Sequence, residues 1–265
     1  MHRLYTLQGR NALVTGATKG IGRATTKLLL ELGARVLAVA RTQEDLERAV
    51  AEEWSQLGEV HTCAADVAEP DGRRGVLEAA KTCFGESLDI LINNVGTNIR
   101  KNMDGYPLAD VERLMQVNAY GAYELAQGAL PLLQASEVGP CIVNVSSVAS
   151  VNVVGTSTMA YAMTKGALDN MTKWMATGWA GYGIRTNAVL PWYTRTELTA
   201  PLLEHAALEE HIAAVTPMGR VAEAEEVAAV IAFACMPAAS YLNGAFLPVD
   251  GGYLQHGIAA FTGAG

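Results

Sequence analysis

Asn11-Ala12-Leu13-Val14-Thr15-Gly16-Ala17-Thr18-Lys19-Gly20-Ile21-Gly22 is the stretch that decides the fold. An apolar run of strand length enters a turn with glycines at 16, 20 and 22, and leaves into a segment of helical period. Such glycines let a backbone turn tightly and come close to a pyrophosphate, which then rests on the N-terminus of the following helix. Gly16, Thr18, Lys19, Gly20, Ile21 and Gly22 are therefore candidate contacts to a dinucleotide. The spacing is G-x-x-x-G-x-G rather than the commoner G-x-G-x-x-G, so the match is one of mechanism rather than of letters.

Outward from this turn, short apolar runs alternate with longer helix-period segments. Strands are expected over 11–15, 35–40, 60–64, 89–93, 141–146, 185–190 and 245–249, and helices over 20–32, 43–56, 71–84, 108–134, 158–182 and 224–235. The strand runs are apolar almost throughout, as in a sheet covered on both faces. Gly33 and Gly85 stand just past two of the helices, where C-terminal glycines belong. This alternation implies an α/β fold: one doubly wound, Rossmann-type parallel sheet of about seven strands with helices on both faces. No linker or repeat interrupts 1–265, so a single domain is expected. Residues 192–222 break the rhythm beyond the carboxyl end of a strand, where ligands bind in open α/β sheets, and read as a substrate loop or lid.

The second strand ends at Arg41. An acidic residue there would accept from a ribose 2′-hydroxyl, whereas an arginine accommodates a 2′-phosphate; with Lys19 as a second cation, NADP(H) is the expected cofactor. Asp66 and Val67 follow the third strand and Asn93-Asn94-Val95-Gly96 ends the fourth, placed to touch the adenine and brace the loops, or to serve only as turn residues. In Tyr161-Ala-Met-Thr-Lys165, residues four apart share a helix face, so phenol and ammonium point together. A free phenol has a pKa near 10; a neighbouring cation favours phenolate and lowers it toward the working range. Ser147, at the end of a strand, is placed to donate to a substrate oxygen. It is preferred over Ser146 because strand side chains alternate faces. Asn118 opens a turn of the helix after the fourth strand.

With these residues assembled, the chain resembles the short-chain dehydrogenase/reductase family over nearly its whole length. TGxxxGIG at 15–22, NNVG at 93–96, VNAYG at 117–121, SS at 146–147, YAMTK at 161–165 and VDGG at 249–252 stand in family order. The resemblance implies Tyr161 as general acid in reduction and base in oxidation, with Lys165 lowering its pKa and binding the nicotinamide ribose. It gives Ser147 the substrate oxygen and Asn118 a water that relays protons to Lys165. Pro191, Thr194 and Thr196 would line the cofactor, Thr196 at the carboxamide. Within the family, 93–101 and 191–196 look most like the tropinone reductases and their plant homologues. Two departures stand out: Trp192 replaces the usual glycine after Pro191, and 13 residues separate Ser147 from Tyr161, one more than is common.

Asn98, Val153, Val154, Trp192, Tyr193 and Leu198, with Ser147, are the candidate substrate wall, and suit a compact, largely apolar ketone, cyclic ones included. Two other readings stand beside this one. Reduction of a 3-oxoacyl chain on a carrier protein needs a basic docking patch, where 192–222 offers Arg195 and Arg220 against Glu197, Glu204, Glu209 and Glu210. A catalytically silent NADP-binding sensor sits badly with a complete Ser, Tyr, Lys and Asn set.

A formal net charge of −8 without a basic stripe argues against nucleic-acid binding. The longest apolar run, 227–236, is about half of the ~20 residues of a membrane span, and the first residues lack the apolar stretch of a secretory leader; no membrane partner and a cytoplasmic location are expected. Cys63, Cys83, Cys141 and Cys235 lack metal spacing, Cys63 and Cys141 reading as small buried hydrophobes. No metal site is expected, the cluster of His205, Glu209 and His211 reading as a solvated face. The resemblance also implies pairing of the helices carrying Leu108 and Trp174 across a two-fold axis, giving a homodimer or homotetramer.

Overall fold

The computed structural model describes residues 3–155 and 157–255. Strands β1 (Asn11–Thr15), β2 (Arg35–Ala40), β3 (Val60–Ala64), β4 (Ile90–Asn93), β5 (Cys141–Val145), β6 (Arg185–Pro191) and β7 (Phe246–Val249) form one sheet in the order β3-β2-β1-β4-β5-β6-β7. Every pairing is parallel. Alternation along the strands splits the core in two. Ala12, Val14, Val36, Ala38, Ile90, Ile92 and Val143 pack against α1 (Gly20–Glu31) and α9 (Ala224–Cys235). Leu13, Leu37, Val39, Leu91 and Ile142 pack on the other face, against α3 (Pro70–Phe84), α5 (Gly121–Gln134) and α6 (Met159–Gly178). The chain winds outward in both directions from β1 and β4, so the crevice of such a sheet opens at their carboxyl ends.

Four expectations need correction. The segment 43–56 is not one helix: α2 (Gln43–Glu52) stops where Glu53 turns to φ −141°, and a 3-10 turn, Trp54–Gln56, drives the Trp54 ring into the core. The segment 108–134 is α4 (Leu108–Met115), a π-helical turn at Gln116–Tyr120, then α5. Such wide turns are rare and cluster at functional sites; this one holds Asn118. The segment 158–182 ends its regular helix at Gly178 and closes in a 3-10 turn, Ala180–Tyr182, before Gly183 at φ 74°. Finally, 192–222 is not irregular. It carries α7 (Ala200–Leu203) and α8 (Ala206–Ala214), and Leu203, Ile212 and Val221 give it a small core. A bridge between Thr194 and Ala222 closes its ends.

Cys141 is buried, but Cys63 is only half-buried because β3 is an edge strand. Glu209 pairs with Arg195 rather than with a histidine. Among the described residues no helix is long and apolar enough to cross a membrane.

Candidate active site

A cleft of about 530 Å³ opens along the carboxyl ends of the strands. Its lining brings together Gly16, Thr18, Lys19, Gly20, Ile21, Arg41, Asp66, Val67, Asn94, Gly96, Ser147, Tyr161, Lys165, Pro191, Trp192, Thr194, Thr196 and Leu198. Gly22, Asn118, Asn98, Val153, Val154 and Tyr193 are not part of that lining.

The glycine turn shows why small residues are required. A Cβ on Gly22 would lie 2.1 Å from the Gly16 carbonyl oxygen, so α1 can start this close beneath the turn only with glycine there. The first turn of α1 has no side-chain cap, since Lys19 stands at its N-cap in extended conformation without a capping hydrogen bond. Its N–H groups are the kind of positive terminus that receives a phosphate. Asn94 laces β1 to β4 beside it: Nδ2 donates to the Thr15 oxygen at 2.9 Å, and the Asn94 N–H donates to Thr15 Oγ1 at 3.0 Å. At the far end of the cleft Arg41 makes no ion pair or hydrogen bond with any described residue, and Lys19 reaches Asp45 only at 3.8 Å. Asp66 accepts from the Ala68 N–H at 3.0 Å, a turn contact that leaves its second oxygen for a ligand.

At the other end, Ser147 and Tyr161 line the cleft together, and the Ser147 hydroxyl favours the Tyr161 phenolate. Ser146 also borders the cleft, but its hydroxyl is directed at the Lys165 carbonyl at 3.4 Å. In the loop before Tyr161, Gly155 takes φ 70°. Lys165 Nζ sits 5.6 Å from the centre of the Tyr161 ring and donates to the Val145 carbonyl at 2.8 Å. Gly96 makes room for it, since a Cβ there would come within 3.1 Å of Nζ. Burial lowers the Lys165 pKa to about 8, against the charge of Asp169, which raises it. The expected lowering of the Tyr161 phenol is not the net result. Burial pushes it up, while the Ser147 hydrogen bond and the charge of Arg100 pull the other way.

Asn118 is 1% exposed, and both its amide oxygen and its amide nitrogen are hydrogen-bonded. Oδ1 accepts from the Thr97 N–H at 2.8 Å, and Nδ2 donates to the Thr97 oxygen at 2.9 Å and to Thr164 Oγ1 at 3.0 Å. It is placed as a brace between the β4 loop and α6.

The outer wall differs from expectation. Val153 is 81% exposed and stands away from the cleft. Val154 packs behind Trp192, and Tyr193 joins the core of the 192–222 segment. Trp192 itself faces the cleft: its ring stacks on Tyr253 with centroids 3.6 Å apart and 8° between planes, and its N–H donates to Thr216 at 3.0 Å. Sequence reasoning missed Tyr253, Thr164 and Arg100, which no motif spacing marks. It also missed Arg73, buried to 3% exposure, which donates to the Val67 carbonyl at 2.7 Å and pairs with Glu124 at 2.6 Å, fixing the Asp66-Val67 turn.

A doubly wound sheet with this crevice and side-chain set defines an oxidoreductase of the short-chain dehydrogenase/reductase family, and the chain belongs to that family. A family model described as enoyl-(acyl carrier protein) reductase matches residues 16–254. A tropinone reductase homologue of Arabidopsis thaliana is 42% identical over 256 residues, 96% of this chain and 96% of its own. Among solved structures, an RhlG/NADP active-site complex of Pseudomonas aeruginosa superposes with a TM-score of 0.90 at 33% identity, covering 96% of this chain and 99% of that one. A gluconate 5-dehydrogenase from Burkholderia cenocepacia, in complex with NADP and tartrate, gives 0.86 at 32% identity, with 96% and 98% covered.

Proposed function

We propose that this protein is an NADP(H)-dependent reductase of a compact, largely apolar ketone, reversible as an alcohol dehydrogenase. The observation that carries the reading is the convergence of Ser147, Tyr161 and buried Lys165, its Nζ 5.6 Å from the Tyr161 ring centre, in the same cleft as the glycine turn. The cleft suits the cofactor: an uncapped helix start and a glycine cradle for a pyrophosphate, and Arg41 with Lys19 for a 2′-phosphate. The solved relatives that contain NADP support the same choice. Ile21, Asp66, Val67, Asn94, Gly96, Pro191, Thr194 and Thr196 are its further proposed contacts.

When bound, the nicotinamide supplies the hydride. The protein supplies position and the proton. Ser147 orients the carbonyl oxygen, and Tyr161, kept protonated by its raised pKa, donates to that oxygen as it turns into an alkoxide. The Lys165 ammonium stabilises the phenolate left behind and holds ribose hydroxyls. Asn118 holds the water that returns a proton through Lys165; with its amide nitrogen committed, only the second lone pair of Oδ1 or its backbone carbonyl is available. In oxidation the same groups run backward. Reduction should therefore fall as pH rises through the Lys165 value of about 8, and oxidation should gain as Tyr161 deprotonates. Trp192, Leu198 and Ile99 make the substrate end largely apolar. An acyl chain on a carrier protein fits less well, because Arg195 is tied to Glu209 and Glu223, and Arg220 to Glu226, leaving no free basic patch on 192–222. The helical segment 192–222 is proposed to act as the lid of this one domain, and a homodimer or homotetramer as the working form.

Parallel titration with NADPH and NADH, followed by a ketone panel, tests the reading. NADPH should bind more tightly, Arg41→Asp should weaken it by about tenfold, on the order of 1.4 kcal/mol, and Tyr161→Phe should cut turnover by roughly 10²–10⁴-fold. A preference for NADH, or turnover of highly charged carbonyls alone, would sink it.

A further inference from the structure

One buried ionisable group in α6 is not used by the mechanism above. Asp169 is 6% exposed and stands four residues beyond Lys165, itself 3% exposed, so the two share a helix face. Helical side chains lean toward the N-terminus, which carries the short Asp169 carboxylate back under the Lys165 turn while Nζ reaches forward to the Val145 carbonyl. Ser146 and Ser150 are the hydroxyls beside the carboxylate. Both hydroxyls also point at backbone oxygens, Ser146 at Lys165 and Ser150 at Ser147, and neither carboxylate oxygen has a donor at full hydrogen-bonding geometry. A carboxylate in such a place costs stability unless a cation faces it. The cations acting on it are Lys165 and, one turn further, Lys173. Tyr161 and Arg100 complete the charged and titratable set around the Tyr161–Lys165 pair. Asp169 is the acidic group that acts on Lys165.

We propose that Asp169 is a positioning residue, the buried counter-charge that keeps Lys165 in its ammonium form while it holds the cofactor ribose and serves Tyr161. The inference rests on the role given to Lys165 above. Burial alone would discharge the amine near neutral pH, and a neutral amine neither stabilises a phenolate nor donates fully to ribose hydroxyls. Asp169 does not touch substrate or cofactor. Burial raises the Asp169 pKa, while the neighbouring Ser146 and Ser150 hydroxyls and the Lys165 and Lys173 cations pull it back toward the charged state.

The test reads cofactor affinity against pH, which needs no substrate. In the native protein NADPH affinity should fall as pH rises through about 8, where Lys165 loses its proton. Lys165→Arg, which cannot discharge, should abolish that limb. Asp169→Asn keeps the size but not the charge; the limb should move down by about one pH unit, so that affinity at pH 8 falls about fivefold. Asp169→Leu should give the same shift, and burial of a leucine there keeps a folded protein available if the asparagine variant is unstable. Superimposable limbs in native, Asp169→Asn and Asp169→Leu proteins would show that Asp169 is only a structural tie and overturn the proposal, with the function untouched. No binding of NADPH or NADH at any pH would instead overturn the proposed function, and this inference with it.

Discussion

Trp192 shows how much a single side chain can decide. Where a glycine would leave the substrate end open, the indole stacks on Tyr253, meets Tyr193 edge-on at 4.7 Å and is pinned by Thr216. Held on three sides, it is a wall rather than a flexible cover. Trp192→Ala should lower stability by about 3 kcal/mol, the low end for a large aromatic because the site is only half-buried. It should also raise kcat/KM for bulky ketones about tenfold relative to compact ones, the scale of a few methylenes in an apolar pocket. Unchanged relative rates across a size series of ketones would show that Trp192 does not bound the pocket. Tyr161, Lys165 and the glycine turn were legible in the sequence because their chemistry depends on spacing along one helix or one turn. Strand alternation separates Ser147 from Ser146, whose hydroxyl turns to the Lys165 carbonyl. Arg100, Asp169 and Tyr253 were not legible, since their roles arise from distances across the fold. The direction of the Tyr161 shift was misjudged: a sequence shows the neighbouring lysine but not the burial that dominates the shift.

At the scale of elements, α1 and α3 each contain a glycine that propensity alone would treat alike. Gly75 lies inside α3 with nothing within 4 Å of its absent Cβ, whereas Gly22 would press a Cβ to 2.1 Å from the Gly16 oxygen. Gly75→Ala should stabilise the protein by about 0.5–1 kcal/mol, since alanine restricts the unfolded chain and suits a helix. Gly22→Ala should force α1 from the turn and cost about 1–3 kcal/mol, with loss of cofactor binding. Paired thermal melts and NADPH titrations decide it, and equal effects of the two substitutions would refute the cradle. Strand positions could be read from the sequence because runs buried on both faces are apolar throughout. Helix ends and the π-helical turn could not. Periodicity runs almost unbroken through 108–134, and what widens the turn at Gln116–Tyr120 is packing, with Asn118 drawn between Thr97 and Thr164. The helices α7 and α8 escaped notice because they are short and Pro201 reads as a breaker, whereas a proline in a first turn is compatible with a helix.

For the whole molecule, charge and apolar surface are distributed unevenly. The chain carries a net −8, yet the cleft lining sets Lys19, Arg41, Arg113 and Lys165 against Asp45, Asp66 and Glu197. An anionic dinucleotide thus meets locally positive walls on an acidic body, and its binding should weaken with salt. The apolar surface points elsewhere. Leu108 on α4, Tyr120 and Tyr123 at the start of α5, and Met163 and Trp174 on α6 are all exposed, Trp174 to 73%. Aromatic side chains so open to water gain most by meeting a second copy, and the side chains on α4, α5 and α6 are those expected to be buried in the proposed dimer. Sedimentation of the native protein should therefore give at least twice the 28.0 kDa chain mass. Trp174→Arg should halve the assembly. Because the substituted side chain touches solvent in the isolated chain, it should leave the fold of the protomer and its cofactor affinity intact. A native protein that sediments as a monomer would remove the interface, and an arginine variant that keeps the native mass would move it to another face.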